Sequence, residues 1–253
     1  MAKKIVVTLK KGGSGKTTTA INLATALQQK GKRVLLIDLD PQANATISVG
    51  INPTTLPLNI NTLFTDINTQ TEDVITKTSF GLDIIPSTPD LAETESNMRA
   101  TQVGLLKSLI EPVNKRYDFI IIDTPPSESY LTINALTVAD EVVIPLQAHF
   151  LAMRGLKEVL EDIEKVQKGL NPDLKIAGIL PTMVNTRTNI SKTVLNTVKN
   201  EYKSLLYPIR TDFSIRHTEA SLVGLPIVLY EPKHQGSEAY FKLADLFLKK
   251  GNK

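Results

Sequence analysis

Short apolar segments that alternate with helical patterns constrain the fold of this 253-residue chain more than any other feature. Runs such as RVLLIDLD and DFIIIDTPP are apolar at successive positions, which indicates strands buried on both faces. Strand and helix in alternation predict an α/β fold with a mostly parallel central sheet, right-handed crossovers and helices on both faces. Ligands of such sheets bind beyond the carboxyl ends of the strands. The predicted segments are seven strands (4–9, 33–40, 82–87, 118–126, 141–147, 175–184 and 226–230) and six helices (16–30, 100–115, 129–139, 153–169, 189–205 and 237–250).

Composition narrows the class of protein. With 42% hydrophobic and 22% charged residues, the chain has the composition of an ordinary soluble globular protein. It contains no cysteine, which excludes disulfides, thiolate metal sites and cysteine-held iron–sulfur clusters. No signal peptide or membrane-spanning run is found, so we expect a cytoplasmic protein. Without a linker or an internal repeat, residues 1–253 are predicted to form a single domain.

The stretch LKKGGSGKTTT, which joins the first predicted strand to the first helix, has the composition of a phosphate-binding loop. Backbone N–H groups of its glycine-rich turn can surround a phosphate chain, with the positive end of the helix behind them. Lys16 can reach the β- and γ-phosphates, and the Thr17 hydroxyl can bind Mg²⁺. Because Lys10 stands where the standard Walker A motif has its first glycine, the loop fits the deviant form K-G-G-x-G-K-[ST]. The predicted ATP-binding residues here are Lys11, Gly12, Gly13, Ser14, Gly15, Lys16, Thr17 and Thr18.

Acidic residues stand at the ends of two predicted strands. Asp38 and Asp123 end these strands, and Asp40 follows two residues after Asp38. Carboxylates there are costly to bury without a cation, and Mg²⁺ bound to a triphosphate supplies one. The predicted metal ligands are therefore Thr17, Asp38 and Asp123. The alternative is that the aspartates only cap turns before prolines, and this alternative is most open for Asp40.

Charge is unevenly distributed along the chain. Residues 1–153 carry 13 basic and 15 acidic side chains, whereas residues 154–253 carry 16 basic and 11 acidic ones. This basic excess indicates either a solvated surface or a face that binds a polyanion.

Three segments together resemble the ParA/Soj partition ATPases, which are relatives of the septum-site ATPase MinD. They are KKGGSGKTTTAINLATALQQKGKRVLLIDLDPQANAT, DFIIIDTPPSESYLTINALTVADEVVIPLQ and IRHTEASLVGLPIVLYEP, and the resemblance runs in order from about Lys3 to Leu248. It implies a P-loop ATPase with weak basal activity that forms a homodimer around Mg·ATP and binds nonspecific double-stranded DNA as that dimer. A ParB-like partner would stimulate hydrolysis, and the cycle would segregate plasmid, chromosome or protein cargo on the nucleoid.

The resemblance also implies roles for individual residues. Lys11 matches the signature lysine that reaches the partner subunit's nucleotide, and Asp40 matches the carboxylate that positions the attacking water. With Lys16, they form the predicted catalytic set. Arg216 matches a DNA-contacting arginine. Together with the charge distribution, this predicts DNA contacts at Arg187, Lys192, Lys199, Arg216 and Lys233.

Several positions depart from the family pattern. Lys10 stands where many relatives have Gln or Gly, and His149 and Arg154 stand where many have Glu, so dimer contacts are not carried over to that segment. Asn185 is predicted to contact the adenine. Asp212 is included in the nucleotide site although many relatives have proline there.

Two other classes of protein remain as alternatives. A MinD-like membrane ATPase would use a terminal amphipathic helix, for which residues 237–250 are the candidate. Their apolar side chains surround most of the helix, however, which favours a buried final helix over one lying on a membrane. A metabolic P-loop ligase would need neither the signature lysine nor a basic face.

Overall fold

The computed structural model describes residues 1–149, 152–185 and 187–250. The strands of this part are β1 (Lys3–Val7), β2 (Val34–Asp38), β3 (Thr76–Lys77), β4 (Asp83–Ile85), β5 (Phe119–Asp123), β6 (Glu141–Gln147) and β7 (Lys175–Thr182). They form one sheet in the order β3-β4-β2-β5-β1-β6-β7. Neighbouring strands run parallel except β3, which is antiparallel to β4. The predicted mostly parallel α/β fold is confirmed.

Helices cover both faces of this sheet. They are α1 (Lys16–Gln29), α2 (Asn44–Ser48), α3 (Ile60–Thr65), α4 (Leu91–Asn97), α5 (Leu105–Ile110), α6 (Tyr130–Val138), α7 (Ala152–Gly169), α8 (Asn189–Glu201), α9 (Arg216–Leu222), α10 (Ile227–Tyr230) and α11 (Gln235–Lys250). Short 3₁₀ turns span Pro53–Thr55, Ala100–Gln102 and Glu111–Val113.

Alternate residues of each central strand enter two separate cores. In β1, Ile5 and Val7 pack in the core that contains α1 and α11, whereas Val6 packs in the core that contains α6 and α7. Successive side chains of a strand point to opposite faces, so a strand covered on both faces is apolar at every position. This is why the continuous apolar runs identify the central strands.

Some predicted elements are wrong. The segment predicted as the strand 226–230 contains the helix α10, Ile227–Tyr230, with Pro226 as its N-cap. A short apolar run does not distinguish a strand from a buried helix. The predicted helix 100–115 is interrupted: only Leu105–Ile110 is α-helical, between Gly104 and the 3₁₀ turn that contains Pro112. The short helices α2, α3, α4 and α9 and the two-residue strand β3 were not predicted.

A close contact between two glycines joins α2 to α9. Gly50 follows α2 with φ +82°, and Gly224 follows α9 with φ +69°. A Cβ atom on Gly224 would lie 2.7 Å from the Gly50 Cα, closer than packed carbon atoms approach. Only glycine fits at Gly224 without displacing the backbone.

Candidate functional site

The predicted phosphate loop lies between the end of β1 and the start of α1. Gly13 and Gly15 adopt left-handed φ angles of +68° and +85°, which glycine tolerates best. The Thr182 hydroxyl, at the end of β7, donates a 2.8 Å hydrogen bond to the Ser14 carbonyl and ties the loop to the sheet. Gly15 caps α1 without a side-chain hydrogen bond, so the first-turn N–H groups remain available to an anion.

Lys16 is the basic group at the centre of this site. Its side chain is buried, and its Nζ donates a 3.2 Å hydrogen bond to the Lys11 carbonyl. Burial lowers the pKa of Lys16, while the charges of Asp123 and Asp40 oppose that change. The ammonium therefore faces two of the predicted acidic residues.

Asp38 and Asp123 end adjacent strands and are paired in register. Asp38 is fully buried, and its Oδ2 accepts hydrogen bonds from the Thr46 amide at 2.9 Å and the Thr46 hydroxyl at 2.8 Å. Its Oδ1 accepts a 3.1 Å bond from the Asp40 amide. Despite these bonds, burial raises the pKa of Asp38 to about 6.

Asp123 is the least satisfied of the acidic groups. Both of its carboxylate oxygens are buried, and neither has a hydrogen bond of normal geometry to any described residue. Burial and the neighbouring Asp38 raise its pKa, although the Thr17 hydroxyl and Lys16 act in the opposite direction. A buried carboxylate with orphaned oxygens beside a hydroxyl has the hard oxygen donors that Mg²⁺ prefers.

Asp40 completes the acidic cluster. It is 5% exposed, and its Oδ1 accepts a 2.9 Å hydrogen bond from the Gln42 amide. Burial raises the pKa of Asp40. Among the described residues, no group of three His, Cys, Asp or Glu side chains is arranged to hold a metal by itself. An ion here would also need the Thr17 hydroxyl and ligand phosphates.

A cavity of about 260 Å³ continues from the phosphate loop towards α9. Its wall includes Gly15 and Thr18 and also Asp212, whereas Asn185 is not among the residues that line it. The Asn185 side chain instead accepts a 3.0 Å hydrogen bond from the Arg187 amide. The remaining lining residues are Thr182, Met183, Thr211, Phe213, Ser214, His217, Thr218, Ser221 and Tyr240.

Sequence reasoning missed most of this wall. It forms because Val184 and Asp212 pair in a parallel bridge that brings two distant segments together. Met183, which lines the cavity, has φ +50°, an uncommon angle for a residue with a side chain. No sequence pattern reveals that angle. Asp212, which is included in the predicted nucleotide site, is the residue of this bridge that points to the wall.

Lys10 and Lys11 make separate contacts at the start of the loop. Lys11 Nζ donates a 3.1 Å hydrogen bond to Gln147 Oε1 at the end of β6. Lys10 Nζ lies 2.8 Å from Glu128 Oε2 and also pairs with Asp162 on α7. The charge of Lys10 is therefore directed away from Lys11.

The predicted DNA contacts fall into two groups. Arg216 is paired with Glu219 at 2.8 Å and with Glu231 at 3.5 Å. The other four are exposed and, within the described part of the chain, have neither an ion pair nor a side-chain hydrogen bond: Arg187, Lys192, Lys199 and Lys233. Lys192 and Lys199 lie seven residues apart on α8, which places them on one helical face.

The terminal helix α11 packs its apolar side against the core. Tyr240, Leu243 and Phe247 are each at most 1% exposed. None of the described helices combines the length and apolarity needed to cross a bilayer.

Two residues that depart from the family pattern have local partners. Arg154 on α7 pairs with Glu158 at 2.8 Å. The amide of His149, which precedes α7, donates a hydrogen bond to the Gln147 carbonyl.

Known proteins resemble this chain over nearly its whole length. A family model described as an AAA domain matches residues 2–176. The sporulation initiation inhibitor protein Soj of Bacillus subtilis is 43% identical over 96% of this chain and 97% of its own. The chromosome partitioning protein ParA of Myxococcus xanthus is 40% identical over 97% of this chain and 88% of its own.

A solved structure shows the same fold. It is that of cobyrinic acid a,c-diamide synthase from Mycobacterium smegmatis with bound ATP analog and magnesium. The two chains are 35% identical with a TM-score of 0.86, and the match covers 100% of this chain and 96% of the other.

Proposed function

The chain belongs to the ParA/Soj family of partition ATPases, and from that premise we propose that it binds Mg·ATP in its phosphate loop and hydrolyses it as a homodimer on DNA. One observation supports the proposed nucleotide site most directly. The buried Lys16 ammonium faces Asp123 and Asp40 beside a glycine-rich helix N-terminus, and the buried Asp38 is a neighbour of Asp123. One cation among three acidic groups leaves negative charge without compensation, which favours a bound divalent cation.

Each group of the site has a proposed role in hydrolysis. Lys16 exchanges the Lys11 carbonyl for the β- and γ-phosphates, and the loop N–H groups hold the phosphate chain. Bound Mg²⁺ supplies charge neutralisation at the phosphates, and Thr17, Asp38 and Asp123 are the groups that would hold it. Asp40, of which one oxygen accepts no hydrogen bond from the described residues, orients the attacking water.

Dimer formation is the proposed role of Lys11. Within the described residues its Nζ makes one hydrogen bond, to the Gln147 side-chain amide, so it can turn towards a nucleotide in a second subunit at little cost. We propose that the chain forms a single ATPase domain and that a ParB-like protein stimulates hydrolysis by the dimer.

DNA binding is proposed for the face that carries Arg187, Lys192 and Lys199. These side chains are exposed and unpaired within the described chain, so their charges are available to phosphates. Arg216 must first leave Glu219 and Glu231, which makes it a weaker candidate than the others. A dimer doubles the number of contacts, so ATP should switch nonspecific duplex binding on, and the protein would then lie on the nucleoid in the cytoplasm.

Membrane association through α11 is the less favoured alternative. Its apolar side is occupied by the protein core, with Leu243 and Phe247 buried. Binding to a membrane by this helix would require undocking it.

Hydrolysis tests the nucleotide site. Phosphate release should require Mg²⁺ and no acceptor substrate, which also separates this function from that of a ligase. Asp40→Ala should bind ATP in calorimetry but turn over about 100-fold more slowly, because it loses the group that positions water. Lys16→Ala should lose ATP binding. Normal ATP affinity in Lys16→Ala would refute the assignment of the loop.

Salt dependence tests the DNA face. Unrelated duplexes should bind with ATP and not with ADP. Lys192→Ala should weaken all of them equally and reduce the salt slope by about two, one contact per subunit. Lys242→Ala, which removes an exposed lysine of α11 paired with Glu238, is the matched control and should change nothing. Binding that ignores the nucleotide, or an unchanged slope in Lys192→Ala, would contradict the proposal.

A further inference from the structure

Lys10 joins three separate segments of the chain beside the phosphate loop. Glu128, one of its two partners, lies in the segment that leaves β5 after Asp123, and Asp162, the other, lies on α7. The side chains of Lys10 and Asp162 are each only 15% exposed. The cluster is therefore a partly buried ion-pair network, which solvent screens less than an exposed pair.

Lys10 remains charged in this setting. Burial by itself would lower its pKa, but the hydrogen bonds to Asp162 and Glu128 and the charges of these carboxylates together outweigh burial and raise the pKa of Lys10 overall. The same contact lowers the pKa of Glu128. Lys157 provides a contrast on α7, because its contact with Glu161 is 4.0 Å long and its side chain is 77% exposed.

Anchoring Lys10 also restrains the backbone of Lys11. Lys11 Nζ donates a 3.1 Å hydrogen bond to Gln147 Oε1. The Lys11 carbonyl accepts a 3.2 Å hydrogen bond from Lys16 Nζ. The α7 backbone lies close behind it, since a Cβ atom on Gly155 would be 3.7 Å from the Lys11 Cβ. Lys11 thus lies between Lys10, which its ion pairs hold in place, and α7, which carries Asp162, one of the two partners of Lys10.

We propose that Lys10 is a positioning residue for Lys11. By pairing with Glu128 and Asp162, it holds the Lys11 backbone in the orientation from which the signature lysine acts. The inference rests on the role of Lys11 in the proposed function. A positioning role predicts that Lys10 affects turnover and not the affinity of the loop for ATP.

The test separates turnover from nucleotide affinity. Lys10→Met keeps an unbranched side chain, one atom shorter, and removes its charge. It should lower kcat about tenfold while the Kd for ATP in calorimetry changes less than about twofold. Asp162→Asn should reproduce this separation in part. Lys10→Arg should restore turnover, because a guanidinium can bond to both carboxylates. Lys157→Met, the matched control, should behave as the wild type.

Two outcomes would overturn the inference. One is a wild-type kcat in Lys10→Met, and the other is a parallel loss of kcat and ATP affinity, which indicates only a damaged fold. If Lys10→Met does not fold, Asp162→Asn, which keeps the pair with Glu128, decides between the same outcomes. Wild-type turnover in Lys11→Ala would refute the proposed role of Lys11 itself. An inactive Lys11→Ala beside a fully active Lys10→Met would refute only the positioning role.

Discussion

His217 should make the stability of the protein fall as the pH falls below neutrality. Its ring lines the cavity on α9, edge-on to Tyr240 and to His234 with centroid separations of 6.2 and 6.1 Å. Burial, followed by the charge of His234, lowers the pKa of His217 from 6.5 to about 4. The unfolded chain therefore binds a proton between about pH 6.5 and pH 4 that the folded protein does not.

The magnitude follows from these two pKa values. The His217 contribution is fully present above pH 6.5 and is lost as the pH falls, by about 2 kcal/mol at pH 5 and about 3 kcal/mol below pH 4. Asp38 acts in the opposite direction, because its pKa is raised from 3.8 to about 6 and its ionisation destabilises the fold as the pH rises. Only a comparison with a variant of His217 therefore isolates the contribution of this histidine to the pH dependence of stability.

Urea unfolding of the nucleotide-free protein from pH 5 to pH 8 measures this effect. The free energy of unfolding of His217→Gln should differ from that of the wild type by an amount that changes by about 2 kcal/mol over this range. His234→Gln should keep most of the wild-type dependence, because burial is the larger cause of the shift at His217. Parallel curves for wild type and His217→Gln would refute the reasoning.

Two further predictions concern stability. Gly224→Ala should lower the free energy of unfolding by about 2–3 kcal/mol, because its Cβ would meet Gly50 at 2.7 Å and its φ is +69°. Gly104→Ala, where a Cβ meets nothing within 4 Å, is the control, and an equal change in both variants would contradict this reason. Asp123→Asn should raise the free energy of unfolding at pH 7.5 without Mg²⁺ by about 1–3 kcal/mol, because it removes a buried carboxylate that lacks a hydrogen bond of normal geometry to the described residues. The same variant should lose the Mg²⁺-dependent part of its stabilisation by ATP, and thermal unfolding with and without the ion measures both effects.

The parts of the site that the sequence predicted are those whose geometry is local or follows from the parallel arrangement of the strands. Lys16 follows Gly15 directly, so the loop and the start of α1 come from consecutive residues. Asp38 and Asp123 are far apart in the chain, but each ends a buried strand, and parallel strands place their carboxyl ends at one edge. The parallel arrangement alone brought these two residues together.

The parts that it missed depend on contacts between distant segments. The cavity wall needs the pairing of Val184 with Asp212, and no periodic pattern marks either residue. The helix α2, which supplies Thr46 to Asp38, has five residues, too few for a helical period to be recognised. The short apolar run at 226–230 predicts a strand as readily as a helix, and its packing against α1 as the helix α10 cannot be read from composition.

By itself, the sequence determined the α/β class, the glycine-rich loop before α1 and the acidic strand ends, because these follow from residue types at fixed spacing along one strand or turn. Only the tertiary structure decided which charges are available. Lys10 pairs with Glu128, 118 residues away in the chain, whereas Lys192 and Lys199 remain unpaired within the described residues. Arg216 pairs with Glu231 as well as with its helical neighbour Glu219. The fold decides which distant segments come together, and so it decides which charged side chains form pairs. The spacing of residues along the chain does not contain this information.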